Sequence, residues 1–259
     1  PWYRDTPVNG DLRKASNILT EFEGLKSTQR QNLIAAYITR LFLKGGFEIV
    51  QQPGGSKPQM LVKDLPDTAA QDDDNDTKLE SELHSFIKEA AGDDRILQKN
   101  ELRRWSKYNG RTLYAWSNRI ENGATVWTMK PEEVRQVFGL RKFLKDFTLI
   151  KDRGVVEVKL WNDYLVFASL YGIADQVMRD FRKVCPEYFR LSSSAEFFND
   201  SATNLLIWDM INMTSRDFSV AASTYEASLN SSSSSGGGGS SSWGGGGGYS
   251  GGGSGGGGR

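Results

Sequence analysis

The sequence predicts a mainly α-helical fold with short β-hairpins (α+β), built from two winged-helix-like units, a further helical segment and a disordered Gly/Ser tail. Three observations carry this. Apolar residues recur at helical spacing through most of the first 190 positions. Short apolar runs bounded by turn residues follow pairs of helices. From Asn230 onward the chain is almost only Ser and Gly and holds 16 of the 28 glycines, too little apolar surface to offset its ordering entropy. The remainder is rich in large rings, with 6 of the 7 Trp, all 13 Phe and 8 of the 9 Tyr to fill a core.

The first unit spans residues 1–65. After a turn-rich opening, Asp11 is placed to cap a helix bearing Leu12, Ala15, Ile18, Leu19 and Phe22, and Gly24 stops it. A second helix starting near Ser27 carries Leu33, Ile34, Tyr37, Ile38, Leu41 and Phe42 to Gly45-Gly46. Phe47 to Gln51 and Met60 to Val62 read as a hairpin with a loose loop. Residues 66–77 form an acidic linker with Asp72, Asp73, Asp74 and Asp76 and no apolar side chain to bury. Metal binding there is the weaker alternative, because the run lacks the Gly and the distal Glu of a calcium loop.

The second unit covers residues 78–130. It has a helix from about Lys78 to Ala91 and an apolar pair, Ile96-Leu97. Helices near Asn100–Tyr108 and Arg111–Glu121 follow, with a strand at Val126–Met129. Residues 131–190 are the helical segment, with Pro131 in a first turn. A helix runs from there towards Phe147, and one long helical pattern lies between Val155 and Phe189. Residues 191–229 are a partly ordered connector, and 230–259 are the tail.

Lys+Arg and Asp+Glu are equal at 32 each, so no global field favours nucleic acid or an anionic surface. The single cysteine, Cys185, rules out an internal disulfide framework and a multi-cysteine zinc site. No apolar run is long enough to span a bilayer, and the opening residues are not a signal peptide. With no initiating Met, the chain reads as a fragment or a processed product. His84 is the sole histidine and reads as a surface residue on its helix. No Cys/His dyad, carboxylate pair in a cleft or phosphate-cradling Gly motif stands out, so no catalytic, metal or cofactor-binding residues are assigned. Asp146, Asp152, Asp163 and Asp175 read as structural ion pairs or helix caps.

One local patch deserves weighing as a nucleic-acid surface: Lys99, Arg103, Arg104, Lys107, Arg111 and Arg119, interleaved with Trp105, Tyr108, Tyr114 and Trp116. The simpler reading is a solvated face opposite a core stripe of Leu102, Trp105, Leu113, Trp116 and Ile120.

A further set of residues carries a resemblance. It begins with Tyr3-Arg4-Asp5-Thr6-Pro7, the helix containing Asn32, and Gly139-Leu140-Arg141-Lys142-Phe143-Leu144-Lys145-Asp146. Leu160-Trp161-Asn162-Asp163-Tyr164 and Gly172-Ile173-Ala174-Asp175 follow, then Pro186-Glu187 and the glycine tail. In order and spacing, over nearly the whole chain, they resemble the C-terminal half of the bacterial predicted membrane proteins with domain of unknown function 2207. The resemblance implies an upstream signal sequence, an extracytoplasmic β-rich domain and a transmembrane helix in the parent. It also implies a cell-membrane location with this region on the cytosolic side. It marks Arg4, Asp5, Asn32, Gly139, Leu140, Phe143, Leu144, Asp146, Trp161, Tyr164, Gly172, Ala174 and Asp175 as motif positions with structural roles. The leading expectation is a non-enzymatic, cytosol-facing interaction module without cofactor, whose partners are proteins. Nucleic-acid binding through the second unit and an unrecognised enzyme are the alternatives.

Overall fold

The computed structural model describes residues 1–50, 59–65, 75–122, 128–146, 158–184 and 201–233. Asp11 accepts a hydrogen bond from the Lys14 N–H (2.9 Å) and opens α1, Leu12–Glu23, whose Leu12, Ala15, Ile18 and Leu19 are buried. α2, Lys26–Leu43, is buried along most of its second half, from Leu33 to Phe42. It is the central helix of the core and packs on α1 and on helices that follow much later in the chain. The expected hairpin forms: β1, Phe47–Val50, lies antiparallel to β2, Gln59–Val62, with Phe47 opposite Val62.

β2 has a second antiparallel neighbour. The apolar pair Ile96–Leu97 is β3, with Met60 opposite Leu97, so the sheet order is β1-β2-β3. One sheet therefore joins residues from both sides of the acidic run. α3, Asn75–Ala91, starts earlier than periodicity suggests, because Asn75, Asp76 and Thr77 form its first turn instead of the end of a linker. The rest of the acidic run, 66–74, lies outside the described residues.

α4, Lys99–Tyr108, and α5, Gly110–Glu121, follow, with Leu102, Leu113, Trp116 and Ile120 of the expected core stripe buried and Trp105 only partly so. The Glu101 carboxylate accepts from the Gln98 N–H (3.3 Å) at the start of α4. Trp116 donates its indole N–H to the Leu79 carbonyl (3.0 Å), locking α5 to α3. The strand expected at Val126–Met129 is not seen at Thr128 and Met129, which belong to no element. Its first two residues lie outside the described ones.

α6, Pro131–Asp146, begins at the proline as expected. The single long pattern after Val155 resolves into two helices, α7, Val158–Leu170, and α8, Ala174–Val184. Gly172 makes the break. Its φ of +69° is left-handed, and the Ile173 N–H turns back to the Ala168 carbonyl (2.9 Å), closing the end of α7.

The largest departure from expectation is α9, Ser201–Ser233, a 33-residue helix over most of the supposed connector and the first residues of the supposed tail. Ile207, Trp208, Ile211, Phe218 and Ala222 are buried, and the helix packs on α5, α2 and α4. Its Ser-, Thr- and Asn-rich sequence is a poor intrinsic helix former, so tertiary burial sustains it. The tail from 234 onward, with Cys185 and Asp152, lies outside the described residues. Among the described residues no helix is long and apolar enough to cross a membrane.

Candidate functional site

The motif positions of the N-terminus and of α6 and α7 converge on one feature, a clamp that holds residues 1–10 in place. The Trp2 indole donates to Asp146 (2.9 Å), and Thr6 donates to Asp163 (2.6 Å). The Tyr164 hydroxyl donates to the Arg4 carbonyl, and burial pushes that phenol up to about 12. Lys142 and the Trp2 N–H together hold the Asp146 carboxyl below the usual carboxylate range. The Arg4 guanidinium lies over the Phe143 ring, 5.5 Å from its centroid. Gly139 is glycine because Tyr3 crosses it: an added Cβ would stand 2.8 Å from Tyr3 Cβ and 3.1 Å from its amide nitrogen. The Val8 N–H donates to Gln136 (3.0 Å), which helps hold Val8 at a left-handed φ of 46°, a costly conformation for a β-branched residue.

The other motif positions, apart from the exposed Asp5, are also engaged inside the molecule. Leu140, Phe143, Leu144, Trp161 and Ala174 are buried. A side chain at Gly172 would press on the Asn32 amide (3.2 Å). Asp175 pairs with Arg179 one turn on. Among the described residues, these positions bind the protein to itself.

A buried ionic cluster, not anticipated from the sequence, joins α1, α2 and α3. Glu80 is 2% exposed and accepts from Arg40 (2.9 Å) and Lys44. Tyr37 donates to Asp76 (3.0 Å), with Arg13 and Arg40 nearby. Burial raises both the Asp76 carboxyl and the Tyr37 phenol. The only available signal was the pair of arginines on helices otherwise turned to the core. Asp76 was hidden in what reads as a linker. His84, expected at the surface, is only 5% exposed and packs beside Phe47 and the Gly46 carbonyl, because α3 lies over the start of the sheet. Burial lowers its imidazole from the usual value.

The six basic residues of the expected nucleic-acid patch are divided by the fold. Arg119 is held by both oxygens of Glu82. Arg103, Lys107 and Arg111 line a groove of roughly 640 Å³ between the α4–α5 junction and the second half of α9. Arg104 does not line it. Lys99 lines a second groove, beside the first half of α9, and Arg216 borders both. Among the described residues, Lys99, Arg103, Arg104, Lys107 and Arg111 enter no ion pair.

The groove's apolar surface comes from Tyr108, 81% exposed, Val220, 57% exposed, and the half-buried Ala221 and Tyr225. Gly110 lets α5 reach α9: an added Cβ would lie 3.2 Å from the Ala221 carbonyl oxygen. Tyr114 and Tyr225 meet across the same contact, with ring centroids 5.6 Å apart. Concave apolar surface rimmed by unpaired cations is suited to binding an anionic ligand with an apolar part.

Among the described residues, no group of three or more His, Cys, Asp or Glu is arranged to hold a metal ion. No curated protein and no solved structure matches the chain. A family model does match, over a shorter stretch than the resemblance read from the sequence. Residues 124–181, which contain α6, α7 and most of α8, match the family described as predicted membrane protein (DUF2207) C-terminal domain.

Proposed function

We propose that this chain is a non-enzymatic interaction module of a membrane protein, facing the cytosol and binding a protein partner through the groove between α4–α5 and α9. The family match to predicted membrane proteins supports a membrane location for the parent. The observation that carries the binding reading is the groove itself. Three cations line it without ion-pair partners among the described residues, beside a tyrosine left 81% exposed. Exposed aromatics and arginines around a concavity are the residue types that dominate protein interfaces. A solvated helix face needs the charges but not the exposed ring.

The topology is tested by fractionating host cells that express the parent protein with an epitope after Arg259, then treating intact, wall-stripped cells with protease. A membrane-bound parent with a protected epitope is the expected result. A freely soluble parent, or an epitope cleaved from outside, would sink the cytosol-facing reading.

A further inference from the structure

Resting on that reading of the groove, we infer that its occupant is an acidic peptide segment of a partner protein, carrying apolar anchor residues and lying along α9. The argument starts from α4. Lys99, Arg103 and Lys107 recur every four residues, so they form one stripe along the helix, and Arg111 at the start of α5 continues it. α9 runs alongside, and the two grooves, which share Arg216, follow one another along it and are taken together as one track. From Leu206 to Ser228 the track follows α9 for about 33 Å, at about 1.5 Å per residue. An extended peptide of about ten residues spans that length.

Along the track stand five cations and two carboxylates, Asp209 and Asp217. The balance selects an acidic partner. The two carboxylates disfavour a nucleic-acid backbone, whose phosphates recur at fixed spacing, whereas a peptide places neutral residues opposite them. α5, the second helix of the basic stretch and so the one a helix-turn-helix would place in a nucleic-acid groove, is packed against α9. A bilayer surface is a poorer match as well. The apolar groups Val220, Ala221 and Tyr225 line a concavity between helices, where single side chains fit and a membrane face does not.

The test uses the 259-residue chain and a display library of random peptides of about ten residues, selected on the wild-type protein at low salt. Binders are then measured by fluorescence polarisation on three variants: the triple Arg103→Glu/Lys107→Glu/Arg111→Glu, Tyr108→Ala, and Arg104→Glu as a charge control off the track. The expected binders carry net negative charge and at least one aromatic or aliphatic anchor. They weaken about tenfold or more on the triple variant, less on Tyr108→Ala, and within about twofold on Arg104→Glu. Added salt weakens them on the wild type. Unchanged thermal unfolding of the variants shows that a lost binder reflects the groove and not the fold.

Binders without acidic bias, or indifferent to the triple reversal, overturn this inference and leave a protein-binding module with its contact elsewhere. Vesicles of phosphatidylserine and phosphatidylcholine, or a single-stranded oligonucleotide, are run in parallel. If either of these depends on the three cations while no acidic peptide is selected, both this inference and the protein-partner reading fall. An absence of binding in every arm overturns the inference.

Discussion

The clamp around residues 1–10 and the track beside α9 are both built from charged and aromatic residues, yet they use them in opposite ways. In the clamp, Asp146, Asp163 and Tyr164 each bond to the N-terminal segment, and Arg4 sits on Phe143. In the track, Arg103, Lys107 and Arg111 have no ion-pair partner among the described residues, and Tyr108 projects into solvent. The family match falls on the side of the molecule that holds itself together. Here the motif residues other than Asp5 are engaged with the rest of the fold, and the groove is lined by residues outside the matched stretch.

Substitutions that separate stability from binding make this contrast testable. The largest effect is expected at Gly139→Val, where the new side chain must displace Tyr3: a loss of about 3 kcal/mol in urea unfolding. An unchanged midpoint there would mean that the clamp is dispensable to the fold. Gly172→Val combines a left-handed backbone with the Asn32 contact and should cost about 2 kcal/mol. Wild-type stability in that variant would remove the reason given for the break between α7 and α8.

Acid should loosen the clamp. The Asp146 carboxyl is depressed in the folded protein, so its contribution is present above the ordinary carboxylate range and lost as pH falls through the lowered value. The indole N–H resonance of Trp2 should shift in that acid range in the wild type and not in Asp146→Asn. A titration identical in the two proteins would show that Asp146 does not hold Trp2. The smallest effect belongs to the track. Arg103→Glu/Lys107→Glu/Arg111→Glu should change stability by no more than about 0.5 kcal/mol, because no native ion pair is broken. A large loss would make these cations structural and erase the distinction between the two regions.

Local signals were enough for much of the fold. Asp11 and Gly24 bound α1, Pro131 opens α6, and all of the stripe of Leu102, Trp105, Leu113, Trp116 and Ile120 is buried except Trp105, which is partly so. What local reading missed depends on partners far along the chain. α9 is helical because Ile211 and Phe218 find a core made by α2, α4 and α5, and nothing in its Ser- and Thr-rich sequence announces that. The basic residues were visible as residues, but one wall of the track is α9, so the groove was not. The motif residues were visible through family likeness, whereas their role was not, since Asp146 meets Trp2 across 144 positions and Tyr164 meets Arg4 across 160. His84 departs from its expected surface position for a similar reason, because the packing of α3 over the sheet buries it.

The position of α9 at the end of the described chain has a consequence for biosynthesis. A ribosome delivers α2, α4 and α5 well before it delivers Phe218 and Ala222, so the nascent chain leaves the exit tunnel with an apolar face uncovered. Of the described helices, the last to be made is the one that seals it. Termination near residue 200 would release a product carrying most of the helices and a bare sticky surface, a natural client for chaperones and proteases, and the groove would never have formed.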